Sequence, residues 1–408
     1  MRLLGTEEFV PCEARYTPET QSGRVLVRRR LFTLCAVVAI AAIAVPVAAA
    51  RSLTPRASTL TLAFEGPLTG GQAANGQDML RGTKLAIAEI NKAGGVLGMQ
   101  IKLITGNDKA TPSIGVTVAE NLVKQKPFGL IGPYNSSVGL ANLPIYIAGG
   151  VFPVQLTSTD DTKKLGITVQ PKNSQISPVE VQWMTEQKAG KVSILFDPDT
   201  YTKGMADRMF AALNKKGVLV TKIAIDPKSK DFSAQVAQAV TNNPDVVYVS
   251  TYYPAGAIIA KNLLASQASH PTKCFMGLAN QDATFVREAG IPAASACTFS
   301  GVPTPSQFGN TKSTAYVKNY AKKFNTNPGP WGIFTYDSVY TMVSAIRRAG
   351  SLNYLSVSRQ AFNTKNLSGA TGMITIDPKT GYRSNVPVAI LNVDATTGKF
   401  VLSKLYTK

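Results

Sequence analysis

Histidine is all but missing from this chain of 408 residues: His270 is the only one, and it stands before Pro271 in a predicted surface loop. That leaves little material for a histidine metal cluster or a Ser-His-Asp triad. Cysteine is also scarce, with Cys12, Cys35, Cys274 and Cys297; only the last two lie beyond the first fifty residues, too few for a cysteine-based zinc site in the body. No Gly-x-x-x-x-Gly-Lys-Ser/Thr loop occurs, so the phosphate cradle of that motif is absent. Acidic residues are few, 24 against 43 Lys and Arg, and the formal net charge is +19. The first fifty residues hold six Lys/Arg and four Asp/Glu, so nearly all of the excess belongs to the body. Its lysines are scattered singly or in pairs, as at Lys163-Lys164, Lys215-Lys216 and Lys322-Lys323, with no basic stripe interleaved with aromatics. A nucleic-acid groove is therefore not expected. A basic surface, with some attraction to an anionic membrane or wall, is.

One long apolar run stands out, from Leu31 to Ala50. It follows Arg28-Arg29-Arg30 and ends in Ala48-Ala49-Ala50 before Arg51, the order of a cleaved export signal. A run of 20 residues is also long enough to remain as an anchor, but Pro46 and the small-residue end favour cleavage. Cys35 lies too early, and after Leu34, to carry a lipid. Residues 1–50 thus read as an N-terminal extension and signal peptide, with translation expected to begin near Val25 or Val27 because four glutamates precede the arginines. After cleavage Cys274 and Cys297 remain, each at the start of a predicted strand. They pair if those strands are neighbours, or stay as buried thiols.

The body alternates short apolar runs with helical patterns. Leu60 to Glu65, Gln100 to Thr105, Phe128 to Ile131 and Val151 to Val154 read as strands, with helices over 79–92, 113–124 and 138–148 between them. A second series follows: strands at 192–196, 218–224, 246–250, 274–278 and 297–301, with helices at 178–187, 202–215, 232–239 and 255–266. Helices are expected at 314–324 and 333–349, and strands at 373–376 and 386–393. Such β-α-β repetition implies an α/β fold with two doubly wound parallel-sheet units, each covered on both faces. Ligands in such sheets bind outside the carboxyl ends of the strands. Those ends are rich in polar groups here: Asn135-Ser136-Ser137 before a helix, Thr157-Ser158-Thr159, then Tyr201, Tyr252 and Asp282 in the second series. Ser136 or Ser137 near a helix N-terminus is suited to an anion.

The motifs Gly66 to Gly71 (GPLTGG), Arg81 to Leu103, Gly132 to Ser137 (GPYNSS) and Phe334 to Gly350 carry a resemblance to the type I periplasmic solute-binding proteins of the branched-chain amino acid and amide transport group. With the strand–helix order they cover nearly all of the chain from Thr59 onward. The resemblance implies two lobes joined by a three-strand hinge, lobe 1 being 59–175 with 302–384 and lobe 2 being 176–301 with 385–408. It implies that Ser136, Thr157 and Thr159, beside Ser158, hold a ligand carboxylate, and that Tyr201 and Tyr252 meet it from the opposite lobe. Trp331 and Phe334 would line the apolar side or pack the hinge. Asn75 stands where the leucine-type binder has an aromatic wall, and Ala279 where those binders place the acid that accepts the ligand ammonium. Either Asp282 or Glu65 substitutes for that acid, or the ligand is not an α-amino acid; Asp282 also reads as a helix cap and Glu65 as a solvated loop acid.

The function implied is capture of a small carboxylate- or amide-bearing, amino acid-like ligand and its delivery to a membrane ABC permease driven by a cytoplasmic ATPase, by an exported monomer with no cofactor and no catalytic activity. A sensor subunit of a membrane receptor is the alternative within binding. A secreted hydrolase would need a base for Ser136, which His270 is not placed to supply.

Overall fold

A computed structural model of the protein describes residues 58–266 and 271–406. The predicted signal segment and His270 lie outside the described residues. The chain opens with strand β1 (Thr59–Gly66), whose central residues are buried on both faces, as a strand inside a parallel sheet requires. Helix α1 (Ala73–Lys92) buries Met79, Leu80, Leu85, Ala86, Ile87 and Ile90 along one stripe. It stops at Gly94 and Gly95, both at positive φ. Then come β2 (Gln100–Asn107), α2 (Pro112–Val123), β3 (Gly129–Ile131), α3 (Ser136–Ala148) and β4 (Phe152–Val154). These four strands form one parallel sheet in the order β2-β1-β3-β4.

After a linking segment, α4 (Asn173–Glu186) leads into β5 (Lys191–Phe196), α5 (Thr200–Lys215), β6 (Leu219–Ala224), α6 (Ser233–Val240), β7 (Val246–Ser250), α7 (Tyr253–Ser266) and β8 (Lys273–Met276). The short helices α8 (Ala283–Ala289) and α9 (Ile291–Ser295) precede β9 (Cys297–Gly301). The chain next forms α10 (Thr311–Phe324), α11 (Gly332–Ala349), α12 (Tyr354–Phe362) and a hairpin of β10 (Leu367–Gly369) and β11 (Gly372–Ile374). It ends in β12 (Val388–Val393) and β13 (Phe400–Tyr406), which complete a seven-stranded sheet of order β13-β12-β9-β8-β7-β5-β6. That sheet is parallel from β6 to β9, while β12 and β13 are antiparallel additions.

The mixed α/β architecture matches the expected class. The differences are local. The strand expected at 373–376 is the second arm of the β10–β11 hairpin, and α12 and β13 carry no strong pattern. Only Val357 and Ala361 of α12 are buried, and β13 is an edge strand left open on both faces. Helix α1 lies so close to α11 that a Cβ at Gly82 would sit 1.9 Å from the Gly332 carbonyl oxygen. This contact fixes the start of α11 against α1.

Strands β8 and β9 are neighbours, Cys274 stands opposite Cys297, and the two form a disulfide with Cα atoms 4.6 Å apart. The bridge closes a loop with a sequence separation of 23 residues, for which chain entropy gives about 3 kcal/mol of stabilisation. Reduction is expected to lower the unfolding free energy in urea by that amount, and a Cys274→Ser/Cys297→Ser variant is expected to be insensitive to reductant; equal midpoints for the oxidised and reduced native protein would contradict this.

Candidate functional site

The strand ends of the two sheets face each other across a narrow crevice lined by Tyr134, Ser136, Ser158, Gln170, Tyr201, Tyr252, Leu278, Ala279 and Trp331. From the four-stranded side, β3 runs into Tyr134 and then into the first turn of α3, so Ser136 sits where backbone N–H groups lack helical partners and the dipole is positive. Ser136 is buried, and its Oγ accepts a hydrogen bond from the Thr159 backbone N–H at 3.1 Å. Ser158 Oγ donates to the Pro171 carbonyl at 2.9 Å. From the seven-stranded side come Tyr201 at the start of α5, Tyr252 after β7, and the Leu278-Ala279 wall after β8. The Tyr201 and Tyr252 rings stand 5.9 Å apart. Trp331 closes the crevice beside Tyr134, with ring centroids 6.1 Å apart.

Burial pushes the phenols of Tyr134, Tyr201 and Tyr252 well above their ordinary value, so all three keep their protons, that of Tyr252 being directed at Asp199. Two buried polar atoms in the wall have no partner within the protein, the Trp331 indole N–H and Gln170 Oε1. Gln170 spends its amide donor on the Leu156 carbonyl.

Of the residues singled out in the sequence, the crevice thus gathers Ser136, Ser158, Tyr201, Tyr252 and Trp331, with Ala279 in its wall. It does not gather Thr157, Thr159, Asn75 or Asp282. Thr157 Oγ1 turns inward to Gln155, Thr162 and Lys172. Thr159 Oγ1 turns to Asp161, and only its backbone N–H reaches Ser136. Asn75 is buried in α1, outside the lining; no partner lies within hydrogen-bonding reach of its amide, although the Tyr134 hydroxyl feels it. Asp282 is the N-cap of α8 and accepts from the Thr284 N–H. Phe334 packs behind Trp331.

Glu65 is neither a solvated loop acid nor a group facing the crevice. It is buried, with its carboxyl accepting from Asn142 at 2.8 Å and Tyr146 at 2.6 Å, both on α3. Burial, and then the charge of Asp108, pushes it up to about 8.

Three supporting residues carried no readable signal. Lys172 lies wholly buried behind the 157–159 turn and donates to the Thr157 carbonyl at 3.0 Å and Thr162 Oγ1 at 2.8 Å. Burial pulls it down to about 7, opposed by the charges of Asp160 and Asp161. Asp78 on α1 accepts from the backbone N–H groups of Gly329, Trp331 and Gly332 and from the Tyr320 hydroxyl, which holds the Trp331 segment in place. Asp199 accepts from Ser137 Oγ at 2.6 Å, from the Tyr201 N–H and from the Tyr252 hydroxyl. The Ser137–Asp199 bond ties α3 to α5, and Arg208 of α5 reaches Asp160 at 2.6 Å. Tyr252 and Asp199 also border a larger, open cleft with Lys109, Asn135 and Asp197. Tyr134 and Gln170 were missed as well, although Tyr134 lies inside the GPYNSS motif.

Residues 59–399 match the family model described as periplasmic binding protein. The Leu/Ile/Val-binding protein BraC3 of Rhizobium johnstonii is 30% identical over 328 residues, covering 78% of this chain and 87% of that protein. Among solved structures, the leucine-binding protein LivK of Thermotoga maritima superposes with a TM-score of 0.78 at 22% identity, over 85% of this chain and 98% of that one. A solute-binding protein of an ABC transporter from R. palustris, in complex with 4-hydroxybenzoate, gives 0.77 at 15% identity, over 86% and 97%. The motifs around the crevice, the sheet order and the length of these matches agree, and the chain belongs to the type I periplasmic binding proteins of the leucine/isoleucine/valine-binding family.

Proposed function

We propose that this protein captures a small carboxylate between two lobes, 59–175 with 302–384 and 176–301 with 385–408, and hands it to an ABC permease and its ATPase. The placement of Ser136 at the N-terminus of α3, with Ser158 beside it in the lining and neutral tyrosines opposite, carries this reading. An anionic oxygen placed there would receive hydroxyl and backbone N–H hydrogen bonds, with the buried Lys172 adding positive potential from behind the turn. Bonds from Ser137 to Asp199 and from Arg208 to Asp160 would clasp the two sides once closed. The protein acts outside the cytoplasm as a monomer, exported by the segment ahead of Arg51, and binds without turnover. Relatives named for leucine, isoleucine and valine, and one structure holding 4-hydroxybenzoate, support a small carboxylate as ligand. No helix among the described residues is long and apolar enough to cross a membrane.

Native mass spectrometry of the purified protein is expected to find a bound carboxylate. Ser136→Ala removes one charge-assisted hydrogen bond, about 1.5–3 kcal/mol, and is expected to weaken binding roughly ten- to hundredfold in calorimetry; it also strands the Thr159 N–H, so the free protein is expected to lose about 1–3 kcal/mol of stability and stay folded. Unchanged affinity in that variant would sink the assignment.

A further inference from the structure

Resting on that reading, we infer that the ligand carries no ammonium group: the crevice is built for a small carboxylic acid with a flat, preferably aromatic body and a neutral hydroxyl. The lining contains no charged side chain among the described residues. Four acids exert their charge on the crevice tyrosines, and each is committed elsewhere. Asp197 accepts from the Thr202 and Thr251 hydroxyls. Asp199 belongs to the larger cleft that shares Tyr252, and its carboxylate accepts from Ser137, the Tyr201 N–H and Tyr252. Asp282 caps α8. Glu180 is buried under the sheet, accepting from Tyr248 and Ser300. An enclosed ammonium brings three donors and a full charge, and an unpaired charge in such a site costs several kcal/mol. Gln170 Oε1, the free buried acceptor in this wall, is neutral and single.

What the wall does supply is complementary to a different group. The Trp331 indole N–H lacks an acceptor and Gln170 Oε1 lacks a donor, and both are buried among the lining residues. A hydroxyl both accepts and donates, so one such group on the ligand satisfies either atom it reaches, while an apolar ligand leaves both orphaned. The rings of Tyr134, Tyr201, Tyr252 and Trp331 surround the remaining space and favour a planar body. Leu278 and Ala279 complete a wall with no hydrogen-bonding side chain.

Matched acids test this by calorimetry on the full-length mature protein. Phloretate is L-tyrosine without its ammonium, and hydrocinnamate is phloretate without its hydroxyl; isocaproate is likewise L-leucine without its ammonium. Phloretate is expected to bind at least tenfold more tightly than L-tyrosine and about tenfold more tightly than hydrocinnamate, and isocaproate more tightly than L-leucine. Trp331→Phe is expected to shrink the hydroxyl gap and leave the ammonium gap standing; Gln170→Leu reads the same hydroxyl from the accepting side if the tryptophan variant does not fold. Tighter binding of either amino acid than of its deaminated partner overturns the inference and leaves carboxylate capture intact. Failure of all five compounds to bind, or binding indifferent to Ser136→Ala, defeats the reading beneath it and the inference together.

Discussion

Alanine in place of Asp78 is expected to lower stability by about 4 kcal/mol or more, and to weaken ligand binding as well. The Asp78 carboxylate is enclosed in α1 and accepts from the backbone N–H groups of Gly329 at 2.9 Å, Trp331 at 3.0 Å and Gly332 at 2.6 Å, and from the Tyr320 hydroxyl at 2.8 Å. Truncation strands these donors in a place water does not reach. Each buried, unpaired donor costs about 1–3 kcal/mol, so even two left unsatisfied take the loss to the top of the usual single-residue range. Asparagine is expected to fare only partly better, since its amide retains one acceptor and turns an N–H₂ toward the others. Trp331 and the Gly332 end of α11 are positioned through these bonds, so the crevice loses one wall along with the stability. Urea unfolding with an unchanged m-value checks the first effect, and calorimetry on the folded remainder checks the second. An unfolding free energy within about 0.5 kcal/mol of the native protein's, the size of an ordinary surface change, would show that the anchor is not needed.

Stability is expected to fall as the pH rises from about 5 to 7. Burial raises Asp78, Asp197, Asp282 and Asp337 above the ordinary carboxyl value, and takes Asp108 to about 6, Glu180 to about 7 and Glu65 to about 8, the last helped by the Asp108 charge. The folded state therefore keeps protons that the unfolded chain releases from about pH 4 upward. Their stabilising contribution is complete below the unfolded values and is lost as the pH rises through the folded ones. Lys172, pulled down to about 7, works the other way. Its contribution is complete above the ordinary lysine value and is lost as the pH falls through 7, so it offsets the carboxyls mainly on the alkaline side. Exposed acids held low, such as Asp231 and Asp394, titrate below this window. A tenfold difference in proton affinity between the folded and unfolded chain corresponds to about 1.4 kcal/mol, which makes the combined loss several kcal/mol. Glu65→Gln mimics the neutral carboxyl and is expected to flatten much of the slope. Rising stability across pH 5 to 7 in urea titrations would overturn the assignment of these protonation states.

The alternation of strands and helices was legible because each feature leaves a physical trace. Strands buried on both faces, such as β7, are unbroken apolar runs, and helices laid on a sheet, such as α1, carry an apolar stripe. The general position of the site was legible for the same reason, since hydroxyls at successive strand ends converge when the strands are parallel. Which hydroxyl turns into the crevice was not. In an extended segment neighbouring side chains point to opposite sides, so Ser158 lines the space while Thr157 and Thr159 send their hydroxyls to internal partners. A displacement by a single position separates the two arrangements, and nothing in Thr-Ser-Thr marks the register. Glu65 and Lys172 were opaque for a related reason. Their type points to solvent, and only tertiary partners such as Tyr146 or Thr162 make their burial tolerable. Asp78 read as one polar residue in an amphipathic helix, because its four donors lie some 250 residues away in sequence.

The bridge between Cys274 and Cys297 encloses the segment that carries Leu278 and Ala279, the apolar wall of the crevice. A covalently closed loop brings its own reserve of stability, about 3 kcal/mol, against the roughly 1 kcal/mol that a typical substitution removes. The wall is thus the part of the crevice that mutation can rewrite at least risk to folding. New ligand preferences can arise there by drift at one or two positions while the serine end stays as it is, and the same scaffold can serve a succession of carboxylates over evolutionary time.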